Sequence, residues 1–418
     1  MQKPSTADLR ARQMASRLIV PSPNNFVERP WGGTSLRELK ALCPLPDQVA
    51  VAGSGLGESF ELAAFDDDEE AAIYPSKVAD ETGVMQNLGA LIRENADVFL
   101  GREWTKKYGR CIPLLPKFLN VRELLSVQGH PPGHTEAYVV VDAEPGATIR
   151  LGFRRDIDPQ QFRHELETGL ANQRALSELL GPNSDWAAFQ RQLAVWLAER
   201  EACADSFSGD LTRVEPKAAV LLESLKRTYW YVLDAMNEIE LTPGQVIHNS
   251  NPQRVVDAGR GIPSAEVHAL GNPQQREFTL LEIRRPGPTL RAWDNVRFPM
   301  RNIDIAASLD VLNLGATYPE EFICQRQALQ GDWHTISVDS QFFRIEHIEV
   351  AVGKVFQIAA DDAHCLHVLR GSVEIATNDA HNEHVLKQGE SAFVPFGVRS
   401  WQGRVKHGDL HLVKVHLP

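Results

Sequence analysis

Hydrophobic and polar positions change their period several times along this chain, and the changes divide it. From Cys111 to about residue 153, apolar residues alternate with polar ones, punctuated by glycine, proline and asparagine, which predicts β-strands. The spacing of parallel βαβ units is missing, so an antiparallel barrel or jelly roll is expected. From about 158 to 235 the period becomes helical. Phe162, Leu166, Leu170, Leu176 and Leu179-Leu180 recur at helical spacing, as do Trp186, Phe189, Leu193 and Leu197; Val220-Leu221-Leu222 and Leu225 begin a third stripe. Gly181-Pro182-Asn183 ends the first helix, and Ser184 or Asp185 can cap the second. Strand periodicity resumes at 237–241, runs to about 313, and returns in 333–418.

The predicted architecture is mainly β: two jelly-roll domains with an α-helical insertion. Residues 1–157 and 236–313 form the first domain with its N-terminal arm, 158–235 the helical insertion, and 314–418 the second domain. The arm carries a short basic helix, and 76–107 holds helical patterns, notably Val84 to Arg93. The apolar stripes of the insertion read as core rather than as a partner surface.

Composition narrows the function. A length of 418 residues can bury more than one core. The net charge of −12 argues against a nucleic-acid partner, which would need a basic face, yet leaves room for a small anionic ligand held by local arginines. Five dispersed cysteines suggest reduced thiols and a cytoplasmic location. The first twenty residues lack the apolar core of a signal peptide, and no window approaches the roughly 18–20 apolar residues of a membrane span. Gly53-Ser54-Gly55-Leu56-Gly57 lacks the spacing of a dinucleotide-binding loop, and the acidic run 66–70 reads as a solvated loop.

The densest chemistry lies at Ser126-Val127-Gln128-Gly129-His130-Pro131 and His134-Thr135-Glu136. Gln128 and His130 are two apart, so an extended strand presents both on one face. Pro131-Pro132-Gly133 can reverse the chain and return Glu136 on a neighbouring strand. An open set of nitrogen and oxygen ligands suits a catalytic metal, with zinc fitting and manganese, iron or cobalt left open by ligand type. His248 and His268 compete for the fourth position.

These segments resemble the type I mannose-6-phosphate isomerase family. Leu115-Pro116-Lys117-Phe118-Leu119 and Leu125-Ser126-Val127-Gln128-Gly129-His130-Pro131 resemble its core signature, and Thr135-Glu136-Ala137-Tyr138-Val139-Val140 its following strand. Pro30-Trp31-Gly32-Gly33, Gly57-Glu58-Ser59-Phe60-Glu61, Ile262-Pro263-Ser264-Ala265-Glu266-Val267-His268-Ala269-Leu270-Gly271, Leu281-Glu282-Ile283-Arg284-Arg285 and Thr289-Leu290-Arg291-Ala292-Trp293-Asp294 resemble further landmarks in the same order. Near the C-terminus, Gly389 to Gly397 fits a cupin pattern, so the jelly rolls are expected to be cupins. The resemblance implies a zinc-dependent interconversion of mannose 6-phosphate and fructose 6-phosphate through an enediol. The metal would sit on Gln128, His130, Glu136 and His268, the last favoured over His248 by its segment. Arg291 and Glu282 are implied as catalytic residues; Ser126 falls at the pocket edge.

The chain also departs from that pattern. His134 stands where the family has lysine, and Arg284-Arg285-Pro286-Gly287-Pro288 replaces a segment with two amides and a carboxylate. His134 is thus a catalytic candidate that titrates near neutrality, while Lys117 and Arg285 are candidates for binding the substrate's anion, with Arg284 and Arg297 as further cations. Isomerisation of another sugar or sugar phosphate, or metal-dependent sugar sensing without turnover, stays open beside the first reading. The C-terminal histidines His364, His367, His381 and His384 look like a cluster, but His364 and His367 fall on opposite strand faces, and a metal-free second cupin is expected. Oligomeric state leaves no mark in the sequence.

Overall fold

The structure, a computed structural model, describes residues 6–22, 25–41, 55–65, 73–80, 83–181, 185–207, 216–255, 263–377 and 383–418. Cys43, Gly53, Ser54, the acidic run 66–70, residues 182–184, Ile262 and His381 lie outside the described residues.

Two sheets build the first jelly roll. One runs Phe26–Arg29, Gly55–Phe60, Leu115–Val121, Phe278–Arg284, Glu136–Ala143, Val246–His248; the other runs Leu290–Trp293, Val127–Gly129, His268–Ala269, Thr148–Phe153, Met236–Glu240. Neighbouring strands are antiparallel throughout both. The two-residue period of a strand then sorts the side chains. Leu119, Val121, Tyr138, Val140, Phe278 and Leu280 face inward onto Ile149, Leu151 and Ile239. Their neighbours Phe118, Val139 and Leu281 face outward and pack with Ile345, Val413 and Val415 of the C-terminal jelly roll, so one apolar layer joins the two.

Along the inner face the apolar residues stop at one end. Lys117, Glu136, Glu282 and Arg284 occupy the next inward positions, all buried. Charged residues are taken out of water only with partners, so this end of the barrel is where chemistry is to be sought.

The C-terminal jelly roll is built on the strands His334–Asp339, Arg344–Val350, Val355–Ala359, His364–Thr377, Ser391–Val394 and Ser400–His416 around Ile348, Leu366, Val368, Trp401 and Leu412. Together these make a mainly-β, two-cupin fold.

Three long helices, Pro159–Leu180, Trp186–Ala198 and Pro216–Ala235, fill the stretch of helical period. Asp158 caps the first by accepting from the backbone N–H groups of Gln160 and Gln161, with Pro159 opening the first turn. Phe162, Leu166, Leu170 and Leu176 are buried, and the first and third helices meet so closely that a Cβ on Gly169 would come within 2.7 Å of the Thr228 methyl. Leu179 and Val220 point outward instead, beyond the edges of their stripes. The pattern from Val84 also resolves differently: Met85–Asn87 is a strand, and the helix begins at Leu88 because the Asn87 side chain accepts from the Ala90 N–H.

Candidate metal centre and active-site cavity

Strand register assembles the site. In the smaller sheet Gln128 lies directly opposite His268 on one side and Arg291 on the other. Directly opposed residues share a face, so an imidazole, a carboxamide and a guanidinium line up across three strands. In the facing sheet Glu136 pairs with Arg284, and Glu282 pairs with both Lys117 and Tyr138. Pro131 to Gly133 make the expected reversal, with Gly133 at φ 87° and the His134 N–H donating to the Pro131 carbonyl.

Ligand atoms of His130, Glu136 and His268 come within 4.8 Å of one another, and all three residues are buried. His130 Nε2 stands 2.8 Å from Glu136 Oε1, and His268 Nε2 3.4 Å from Oε2. The other ring nitrogens are engaged: His130 donates through Nδ1 to the Pro288 carbonyl (3.0 Å) and His268 through Nδ1 to the Glu266 carbonyl (2.9 Å). Those carbonyls accept only, so each ring turns an Nε2 lone pair inward. His130 Nε2 is fully buried and has no hydrogen bond of acceptable geometry despite its closeness to Glu136. Ligand atoms that converge this closely, with the His130 lone pair unanswered, are a donor set that suits a cation.

Gln128 fits the same point. Its amide lies 3.0 Å from His268 Nε2 and accepts from the Ser126 hydroxyl at 3.0 Å. A half-turn about its last bond exchanges N for O, aims Oε1 inward and leaves Nε2 to donate to Ser126, whose hydroxyl accepts equally well. Glu136 is held rigidly: Tyr138 donates to Oε2 (2.6 Å), Asn249 Nδ2 does so at 3.3 Å, and the Asn249 side-chain oxygen accepts from the Glu136 N–H. Burial alone would raise the Glu136 pKa; Arg284, together with His130 and His268 whenever those rings carry a second proton, outweighs it and holds the carboxyl well below its ordinary range. Burial pushes His268 down to about 4, keeping its lone pair available. These residues fit a metal.

His248, the rival ligand, lies elsewhere. It pairs with Ala137, whose side chain leaves the opposite face of the strand from Glu136, and its Nε2 meets the Thr135 hydroxyl at 3.0 Å.

A cavity of about 330 Å³ opens beside Gln128 and Glu136, lined also by Trp31, Glu58, Lys117, Ser126, Glu282 and Arg291. Six cationic side chains (Arg29, Lys117, Arg284, Arg291, Arg297 and Arg301) face three acidic ones, a formal excess of three positive charges inside an acidic protein. Lys117 bridges Glu58 at 3.2 Å and Glu282 at 3.6 Å. Burial, reinforced by Glu136 and Glu58 against the pull of Lys117 and Arg284, raises Glu282 to about 8. That is a carboxyl poised to exchange a proton near neutrality.

Two sequence candidates, His134 and Arg285, stand outside both the ligand set and the cavity lining. His134 meets the Pro286 carbonyl through Nδ1 at 2.7 Å and packs so tightly on Gly287 that a Cβ there would come within 1.9 Å of the ring. Arg285 bonds the Gly133 carbonyl and lies over the Phe342 ring of the second jelly roll, its carbon 5.0 Å from the centroid. Conversely, Asn249, Arg29 and Arg301 joined the site without being singled out. Asn249 follows His248 directly, and Arg301 follows the Arg291 segment, so proximity to marked motifs was the available signal.

A two-cupin protein with a buried nitrogen–oxygen ligand set at the mouth of its first barrel is the class this fold and site define. Solved structures sharing the fold over nearly the whole chain are phosphomannose isomerases. Mannose 6-phosphate isomerase from Bacillus subtilis matches at a TM-score of 0.63 and 17% identity, covering 96% of this chain and 100% of that one. A phosphomannose isomerase variant from Salmonella typhimurium matches at 0.60 and 16%, covering 96% and 99%. A mannose 6-phosphate isomerase bound with zinc and yttrium matches at 0.58 and 16%, with the same coverage. No protein-family model matches the sequence, and no curated protein matches it.

Proposed function

We propose that this protein is a metal-dependent aldose–ketose isomerase that interconverts mannose 6-phosphate and fructose 6-phosphate. The observation that carries the reading is the convergence of ligand atoms from His130, Glu136 and His268 within 4.8 Å, His130 Nε2 unmatched, with Gln128 beside them and Gln128 and Glu136 lining a cationic cavity. Similarity to solved phosphomannose isomerases supports the substrate class, and a zinc-bound protein of that fold supports zinc.

Zinc held by Gln128, His130, Glu136 and His268 would supply Lewis acidity for the sugar's C1 and C2 oxygens. The chain's own residues do the rest. Glu282, with a pKa raised to about 8, takes the proton from one carbon and returns it to its neighbour. Arg291, permanently charged and in register with Gln128, braces the negative charge that develops on oxygen. Lys117 Nζ, 3.6 Å from Glu282 Oε1, favours the ionised form of that carboxyl when it gives up its proton. Ser126 fixes the rotamer of Gln128. Trp31, Phe298 and Pro299 wall the cavity and limit water.

The Arg284 guanidinium, 3.8 Å from Glu136 and lining the cavity, favours a second reading: the same reaction on another anionic sugar. One assay addresses both. Zinc-loaded protein is given mannose 6-phosphate and fructose 6-phosphate is followed, with and without chelator. Turnover abolished by the chelator is expected. No turnover with a full complement of zinc sinks the first reading, and a panel of other sugar phosphates then tests the second.

A further inference from the structure

The placement of Gln128 depends on a short stretch of chain that contributes no ligand. Ser126 holds the Gln128 amide, and the residues just before Ser126 are held in turn from 294–298, the segment that follows the strand pairing with Gln128. Asn295 Nδ2 donates to the Leu125 carbonyl, and Arg297 Nη2 donates to the Leu124 carbonyl at 2.9 Å. Arg297 Nη1 lies 3.6 Å from the Glu123 carboxylate, so one buried guanidinium holds two successive residues.

Local preference does not give 294–298 its shape. Asn295 and Val296 both sit in the left-handed region, at φ 51° and 57°, a conformation that a β-branched residue such as valine rarely adopts. Such geometry persists only where the surroundings over-determine it. Here the helical insertion supplies the brace. Gln173 of the first helix donates to the Arg297 carbonyl at 2.6 Å, and Gln190 of the second accepts from the Phe298 N–H at 2.8 Å. Trp186 stacks on Phe298 with the rings 5.4 Å apart. The apolar core of the insertion continues through Val296 and Phe298 to Leu124 and Val127, on either side of Ser126.

We propose that the helical insertion positions the metal centre: Gln173 and Gln190 fix the strained segment, and Asn295 and Arg297 pass its placement to the turn whose Ser126 orients Gln128. All four are positioning residues, since none of them is a ligand. The assignment rests on Gln128 being a metal ligand and deepens that reading. An amide can meet an ion through its oxygen only while its nitrogen is kept on Ser126, so a shift of Ser126 is felt at the ion.

The test measures the zinc dissociation constant of the full-length protein by chelator competition, with the melting temperature of every variant recorded. Ser126→Ala is expected to weaken zinc by about tenfold, as the loss of a partner behind a ligand does. Asn295→Gly keeps the left-handed backbone and removes only the side-chain donor; it is expected to weaken zinc by roughly threefold, and Gln173→Met by a similar factor. Gln190→Leu does the same, whereas Gln190→Glu, which still accepts from the Phe298 N–H, keeps the wild-type affinity. Combined with Ser126→Ala, none of these weakening variants adds to its effect, because all of them act through Ser126. Effects that multiply in the combined variants overturn the proposal, as do single variants that melt lower with zinc affinity unchanged. The readings fail separately. A wild type that binds no zinc overturns the metal centre, whereas zinc binding with multiplying effects overturns the coupling alone. Coupled zinc affinities in a protein that isomerises no sugar phosphate overturn the isomerase reading and uphold the coupling.

Discussion

The two barrels each bury glutamate and histidine at one end, and they treat them in opposite ways. In the first, Glu136 faces His130 and His268, whose Nδ1 atoms are already committed to carbonyls, so each turns an Nε2 lone pair toward it, with the Arg284 guanidinium 3.8 Å from the carboxylate. In the second, Glu346 receives His334 Nε2 and His416 Nε2, each at 2.7 Å, and Lys414 Nζ at 3.1 and 3.2 Å. Burial alone would raise the Glu346 pKa, yet those three cationic or proton-bearing partners drive it far below the ordinary range. A lysine ammonium already answers the charge there. Residue type alone therefore does not mark a metal site; what marks it is whether donors and acceptors balance without an added cation.

The largest expected effect separates the barrels directly. Glu136→Ala should lower zinc affinity by more than about 100-fold, since even partners behind the ligands contribute 10- to 100-fold. Glu346→Gln should leave zinc content intact and instead lower stability by about 1–3 kcal/mol, the cost of leaving the half-buried Lys414 without its carboxylate. Both are read by elemental analysis and thermal melting of the same preparations. A Glu346 variant that lost zinc would erase the distinction.

Metal removal comes next. Zinc at 100 times its dissociation constant adds about 2.7 kcal/mol to the state that binds it. Chelation should therefore lower the melting temperature of wild type, and of Glu346→Gln by a similar amount, while Glu136→Ala does not respond.

A subtler effect concerns the residues behind the ligands. Tyr138→Phe and Asn249→Ala each release one oxygen of Glu136 and should weaken zinc by about 10-fold, toward the low end of the usual range. Unchanged affinity in both would mean that Glu136 does not need its brace.

A last effect, spread gradually over several pH units, is a pH dependence. Glu282 titrates near 8 when folded and near 4.5 otherwise, so between those values the folded protein retains a proton that the unfolded chain has lost. Its contribution to stability is present below about pH 4.5 and disappears as pH rises through about 8, on the order of a few kcal/mol in all. Chelated wild type should lose stability across that window relative to Glu282→Gln. Parallel melting curves for the two proteins from pH 5 to 8.5 would contradict the burial argument for Glu282.

Much of the candidate site was legible because local pattern and topology agree there. Gln128 and His130 share a face by strand period, Pro131-Pro132-Gly133 signals the reversal, and both survive folding. His268 could not be separated from His248 by local pattern, because the choice depends on cross-strand register: His268 pairs with Gln128, and His248 with Ala137. Arg285 and His134 illustrate a different limit. Arg284 and Arg285 are adjacent, so a strand must send one inward and the other outward, and only the register says which. The bracing of Arg297 by Gln173 spans 124 positions and leaves no local trace. The helical boundary at Leu88 was lost to a cap, a polar side chain competing with the apolar period around it.

The central claim is that one barrel needs a cation and the other carries its own. Anomalous diffraction at the zinc edge from zinc-soaked crystals of the full-length protein addresses it most directly. A single peak bounded by Gln128, His130, Glu136 and His268, with Lys414 still on Glu346, is the predicted result; a peak at Glu346, or none beside Glu136, would contradict it.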